Sequence, residues 1–381
     1  MRVAGLELHE IGPFTSAELT IPAPAEGQRG ELVIFEGPNG SGKTTLVQAI
    51  ACAAEAENLL EAESPLHPPR GELAQRGRSS RGPRVTTKIE AAGEALFVKD
   101  PGSRIRWSPA EGRDTPAAEL LREYRRAASR LAHPLRWAAF AYRGHQATPI
   151  VGARGPAEIE APPLLGALSF GAKEPASAHF GQLLINLDYE IARALRDARD
   201  VRLEAARREE LDGLAAARRR TLDGIERALS AALARAVKID FPFGQRAPTL
   251  LLDDEPVPLA LLGEGLRSTL AWLADLLVRL HRVAWEDATR SPLEQDFWLI
   301  LDEIDAGLDP ATAARILPAL RRVFPRARVY VTTRSPLVAA SAGGGCVVSI
   351  NPDAGRRVSG TILARRTQGL EPRAPASGPF S

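Results

Sequence analysis

Residues 37–44 read Gly37-Pro38-Asn39-Gly40-Ser41-Gly42-Lys43-Thr44, a complete G-x-x-x-x-G-K-[ST] pattern. Glycines at 37, 40 and 42 let successive backbone N–H groups turn inward around an anion. A helix beginning at this point adds its positive end to that field. Lys43 is the group expected to reach the β- and γ-phosphates, and the Thr44 hydroxyl, followed by Thr45, is the expected Mg²⁺ ligand. The expected cofactors are therefore ATP and Mg²⁺. An accidental glycine-rich turn is the competing reading, and the flanks argue against it. A β-type run, Glu31 to Glu36, precedes the loop and a helical pattern, Thr45 to Ile50, follows. That is the strand–loop–helix setting the pattern requires.

A second acidic pair lies far down the chain. Phe297-Trp298-Leu299-Ile300-Leu301-Asp302-Glu303 is a continuous apolar run ending in two carboxylates. Such a run suits a strand of a parallel sheet covered on both faces, and ligands gather at the carboxyl ends of such strands. Asp302 fits the acid that holds Mg²⁺, and Glu303 fits a general base acting on the attacking water. Capping of the next helix is the plainer alternative for the pair.

The residues that follow carry a resemblance. Asp302-Glu303-Ile304-Asp305-Ala306-Gly307-Leu308-Asp309 resembles the D-loop of ABC-type ATPases in the spelling used by the SMC and RecF group. Leu261-Leu262-Gly263-Glu264-Gly265-Leu266-Arg267-Ser268 is similar to their signature motif, with Gly263 where a serine is usual. Thr332-Thr333-Arg334-Ser335-Pro336 resembles their switch corner, with Arg334 in the place of the γ-phosphate-sensing histidine. A guanidinium can still donate to a phosphate oxygen but does not titrate; a surface arginine is the alternative. Residues 6–14 also resemble the group's opening strand and turn. The resemblance implies an α/β P-loop NTPase fold: a mixed or parallel sheet flanked by helices, with an antiparallel β-lobe and a short helical arm. It implies that Gly263, Glu264, Gly265 and Asp309 join residues 37–45 around nucleotide, with catalytic roles for Lys43, Asp302, Glu303 and Arg334. It also implies a Q-loop residue near the metal, for which Gln146 is the candidate and Arg143 the alternative.

The elements that must position these groups divide the chain as follows. Residues 1–174 make the first part of the head, 175–236 the arm, 237–366 the second part of the head, and 367–381 a disordered Gly/Pro/Ala-rich tail. Between Leu183 and Val237 apolar residues recur at mixed spacings of three and four, the mark of amphipathic helix. Two helices of about 20 residues reach only ~30 Å, too short for long DNA-bridging arms. The arm is rich in arginine, Arg193 to Arg220, interleaved with acids. A solvated helix face competes there with a docking surface.

Composition sets the outer limits. The 381 residues carry a net charge of +2, so overall charge does not announce a nucleic-acid ligand. No 18-residue uncharged apolar run suggests a membrane span. Two cysteines, Cys52 and Cys346, are too few for a disulfide framework and fit buried thiols in the cytoplasm. The leading expectation is a cytoplasmic, nucleotide-driven switch that forms an ATP-dependent homodimer and works with a separately encoded effector. It most resembles the small ATPases of Septu-type anti-phage defence. The alternative is a RecF-like repair or maintenance ATPase that binds nucleic acid directly. A transporter subunit fits worst, because the arm interrupts the head and the signature and switch corner depart from the transporter form.

Overall fold

The computed structural model describes residues 1–54, 84–91, 94–99, 106–109, 116–129, 134–145, 155–159, 163–164, 166–168, 170, 176–200, 202–242, 248–257, 261–341, 343–352 and 358–367. Gln146, the segment 55–83 and the tail beyond Thr367 lie outside these residues.

β1 (Arg2–Ile11) and β2 (Phe14–Thr20) pair antiparallel, and β3 (Glu31–Glu36) runs into the glycine loop that opens α1 (Lys43–Ala54). β4 (Arg84–Ala91), β5 (Glu94–Lys99) and β6 (Arg106–Pro109) form an antiparallel meander beside β1. Next come α2 (Pro116–Ser129) and β7 (Ala138–Arg143). The arm comprises α3 (Phe180–Ala198) and α4 (Ala205–Leu233). β8 (Val237–Asp240), β9 (Thr249–Leu252) and β10 (Glu255–Pro256) make a small antiparallel sheet, followed by α5 (Glu264–Arg282). The chain then alternates β11 (Phe297–Asp302), α6 (Pro310–Val323), β12 (Arg328–Thr333), α7 (Pro336–Ala340) and β13 (Cys346–Ser349). β14 (Val358–Ile362) and β15 (Ala364–Arg366) close the described part.

The central sheet has the order β15-β13-β3-β12-β11-β7, with every neighbouring pair parallel except β13 and β15. Every residue of β11 is buried, as its unbroken apolar run requires of a strand covered on both faces. The second sheet has the order β14-β2-β1-β4-β5-β6. Both sheets mix strands from the two ends of the chain: β3 lies between β12 and β13, and β2 lies between β1 and β14. The start of β1 joins the two sheets. The Val3 amide donates to Tyr330 Oη at 2.9 Å, and Arg2 reaches Glu31 and Glu90.

The arm differs from two equal helices. α3 has 19 residues and α4 has 29, because Gly213 and Gly224 do not interrupt α4. Leu222, Ile225 and Leu229 bury that helix in the main core, so much of its length serves as a strut of the head. A Cβ at Gly224 would stand 3.3 Å from Leu293, a close approach that favours glycine there. α4 ends where Ala234 adopts a left-handed conformation, φ 53°.

Candidate nucleotide site

The carboxyl ends of β3, β12, β11 and β7 converge on one edge of the central sheet, and the motif residues stand there. Gly42 has φ +97°, and an added Cβ would meet the Phe14 ring at 2.5 Å, so the loop conformation requires glycine there. Lys43 Nζ donates to the carbonyls of Gly37 and Pro38, each at 2.8 Å, so the ammonium folds back on its own loop. Desolvation lowers the Lys43 pKa and the charge of Arg334 lowers it further, against the pull of Glu303, Asp302 and Asp305. Ser41 is fully buried under the loop, and Thr45 packs beside the Gly12 turn.

Thr44 and Asp302 meet directly. Thr44 Oγ1 lies 3.0 Å from both carboxylate oxygens of Asp302, and Thr332 Oγ1 donates to Oδ1 at 2.7 Å. Burial raises the Asp302 pKa, while the bonds from Thr332 and Thr44 oppose the rise. A hydroxyl beside one carboxylate, with no further protein ligands, is the donor set Mg²⁺ uses when phosphates and water complete its shell. Among the described residues no cluster of three His, Cys, Asp or Glu could hold a metal unaided.

Glu303 is held by its backbone and clasped at both carboxylate oxygens. Its φ of +55° is uncommon for a side chain of this size. Its N–H donates to Thr332 Oγ1 at 2.7 Å, and the Gly144 N–H donates to Asp302 O at 2.7 Å. A Cβ on Gly144 would fall 1.9 Å from Glu303 O, so only glycine fits against this turn. His145 Nδ1 stands 3.1 Å from Glu303 Oε2, and Arg334 Nη2 donates to Oε1 at 3.2 Å. Arg334 was expected to sense a γ-phosphate, and in this state its partner is Glu303. One residue on, Thr333 Oγ1 donates to Asp305 Oδ2 at 2.7 Å.

The signature region lies against the D-loop of the same chain. Gly263 is the N-cap of α5, with open space where a Cβ would stand, and Glu264 is the first helical residue. A Cβ on Gly265 would meet Gly307 O at 2.2 Å, so Gly265 is explained by intramolecular packing without any ligand. Asp309, expected near nucleotide, is the N-cap of α6 in its own chain. Its Oδ1 accepts from the amides of Ala311 and Thr312 at 3.0 Å each, which commits the carboxylate to capping α6. Arg143, the alternative to Gln146, is the exposed last residue of β7, opposite Asp302 in register.

Behind the site lies a polar cluster with no sequence motif. Asp275 on α5 accepts from Tyr142 Oη at 2.9 Å, from the Ser177 amide at 3.1 Å and from Arg279 Nε at 2.5 Å. Burial and the Asp275 charge both push the Tyr142 phenol well above its ordinary range. The cluster ties β7, two residues before Gly144, to the helix that starts at the signature and to the turn leading into α3. At the other end of the sheet a cleft of about 1700 Å³ opens between α3, α4 and the segment before β11. Leu183, Arg218, Gly224 and Leu293 help line it, and no motif residue does. The volume marks an open groove, and the nucleotide chemistry sits elsewhere.

A glycine loop at the end of a buried parallel strand, facing an acid pair on the next strand but one, defines a P-loop nucleoside-triphosphatase fold. Within that class, the chain belongs to the family described as "AAA domain, putative AbiEii toxin, Type IV TA system", which matches residues 32–340. A second "AAA domain" family matches residues 1–53. Among solved structures, it is similar to an SMC head bound to the C-winged helix domain of ScpA: 13% identity, 97% of this chain, 98% of that one, TM-score 0.46. It is also similar to the SMC head domain from Thermotoga maritima: 15% identity, 97% of this chain, 100% of that one, TM-score 0.43. Among the described residues no helix is long and apolar enough to cross a membrane.

Proposed function

We propose that this chain binds ATP with Mg²⁺ at residues 37–45 and Asp302, and hydrolyses it with Glu303 as general base. The observation that carries this reading is the 3.0 Å contact between Thr44 and Asp302, two motif residues 258 positions apart. Lys43 leaves its loop carbonyls for the phosphates, a stronger partner for an ammonium. Bound Mg²⁺ supplies charge neutralisation at the phosphates, and Thr44 and Asp302 are the residues that would hold it. Arg334 then turns from Glu303 to the developing phosphate charge. Gln146 would complete the metal side through its amide oxygen, whereas Arg143 in the same role could reach only phosphate oxygens.

The switch acts as a homodimer closed by ATP, with Gly263 to Gly265 of one copy facing the nucleotide of the other. Exposed Leu261 and Leu337 support this, since each lies within three residues of a motif corner and offers apolar surface to a partner. A separately encoded effector completes the function, in a defence setting; the toxin–antitoxin wording of the family description agrees with that reading. Direct nucleic-acid binding by the arm is less favoured. Arg193 and Arg196 pair with Asp197, Arg207 with Glu210 and Arg218 with Glu190, so much of the basic face is neutralised within the arm.

Equilibrium ATP binding and steady-state turnover test the reading together. Lys43→Ala should lose nucleotide binding, whereas Glu303→Gln should bind ATP and lose at least 10²-fold in turnover. Wild-type turnover in Glu303→Gln would remove Glu303 from the role of base.

A further inference from the structure

We propose that His145 is the positioning residue for Glu303, fixing one carboxylate oxygen so that the other is free to take a proton from water. The proposal rests on Glu303 acting as the general base.

The sheet order places β12, β11 and β7 side by side, about 4.8 Å apart. The residues just past their carboxyl ends, Arg334, Glu303 and His145, are therefore lateral neighbours. Each outer residue takes one oxygen of Glu303: His145 takes Oε2 and Arg334 takes Oε1. The two attachments differ in stiffness. His145 follows Gly144, whose amide is bonded to Asp302 O and whose Cα is packed against the Glu303 carbonyl. Its ring is thus carried on backbone fastened to the residue it serves. Arg334 instead reaches Glu303 through a long side chain with more rotatable bonds than an imidazole, at an exposure, 49%, close to the 51% of His145. It is also near enough to the phosphate loop to depress the Lys43 pKa.

Arrival of a triphosphate therefore has unequal effects on the two contacts. Negative charge beside Lys43 draws the guanidinium away, which vacates Oε1. The imidazole stays, because its backbone anchors do not involve nucleotide, and it keeps Oε2 and the left-handed turn of Glu303 oriented. In the structure both oxygens of Glu303 are engaged, so departure of the guanidinium is what frees one of them to accept a proton. The arrangement needs only an Nδ1–H donor, which either the neutral or the charged ring can supply.

The test compares His145→Ala with His145→Gln, whose amide can still donate. His145→Ala should lower kcat at least tenfold while ATP affinity and KM stay within about twofold, and His145→Gln should recover most of the loss. In a Glu303→Gln background, His145→Ala should add nothing further, because the two act as one unit. Independently of turnover, the ¹⁵N resonance of His145 Nδ1 in nucleotide-free protein should shift in Glu303→Ala. An unchanged kcat in His145→Ala, or an unmoved ring resonance, overturns the proposal. Absence of turnover in the wild type would instead overturn hydrolysis itself, and the ring resonance would still decide whether His145 holds Glu303.

Discussion

Two carboxylates in this protein are served by nearly the same groups in opposite surroundings. Asp275 accepts from an arginine, a tyrosine hydroxyl and a backbone amide, and its side chain and that of Arg279 are 5% and 2% exposed. Glu303 accepts from an arginine and meets a histidine ring, with side-chain exposures of 30%, 49% and 51% for Glu303, Arg334 and His145. In the first cluster low dielectric makes each bond strong and the loss of any partner expensive. In the second, water can replace a departing partner, so exchange is cheap. The buried cluster fixes the register of β7 against α5, and the half-open one can be rearranged by a ligand. The difference separates a structural clamp from the proposed reactive site more clearly than the residue types do.

The largest expected effect breaks the buried cluster. Asp275→Ala removes the carboxylate that balances the buried Arg279 charge and also accepts from Tyr142 and Ser177, and should lower stability by about 3–5 kcal/mol. Glu303→Gln should change it by less than about 1 kcal/mol. Urea titration of both variants measures the contrast, and equal losses would erase it.

A smaller effect comes from acid, acting on the same helix as Asp275. Desolvation holds the His281 imidazole down at about 4, with Arg218 adding to the depression and the Leu277 carbonyl opposing it. Above the ordinary histidine value near pH 6.5, folded and unfolded chains both carry a neutral ring, and nothing is lost. Between about 6.5 and 4 the unfolded chain takes up the proton and the folded one does not, so stability falls as pH falls. The loss should be about 1–3 kcal/mol, levelling off below pH 4. His281→Gln should flatten that part of the stability profile, and an unchanged acid slope would assign it to other groups.

The smallest effect has the opposite sign. Burial raises the Asp302 pKa, so its charge at neutral pH works against the folded, nucleotide-free protein. A group of this kind favours the fold below its unfolded pKa and loses that contribution as pH rises through the folded one. Asp302→Asn should therefore raise the melting temperature without nucleotide, by up to about 2 kcal/mol in stability, while losing the further rise given by ATP and Mg²⁺. A lower melting temperature in the variant would mean that the bonds from Thr44 and Thr332 outweigh desolvation.

Much of the site was legible because its parts are local signals. The loop at 37–44 announces itself by spacing, and the apolar run at 297–302 ends where its strand ends. The switch strand at 328–333 and its arginine were likewise readable in place. What escaped are partners chosen by topology. His145 meets Glu303 only because β7 lies beside β11, and Thr332, read as part of the switch corner, had no role of its own in sequence although it bonds both Asp302 and the Glu303 amide. Asp275 sits inside an apolar helix with nothing around it in sequence to mark a cluster. The capping of α6 by Asp309 was not anticipated, because a D-loop aspartate and a helix cap have the same spelling and only the two amide bonds reveal the cap. The split of the arm into helices of 19 and 29 residues was not legible, because apolar spacing runs on through both and Gly213 and Gly224, which weaken helix propensity, are overridden by burial against the head.

The interleaving of strands has a consequence in time. β3 carries the phosphate loop, yet its two neighbours in the sheet, β12 and β13, are made from residues 328–333 and 346–349. During synthesis the loop sequence leaves the ribosome long before either neighbour exists, and at about 5–20 residues per second that delay is tens of seconds. A nascent β3 has bare edges on both sides throughout. ATP therefore cannot serve as an early folding template for this chain. Nucleotide competence should arrive abruptly, once the strands near residue 349 have emerged and slotted in on either side.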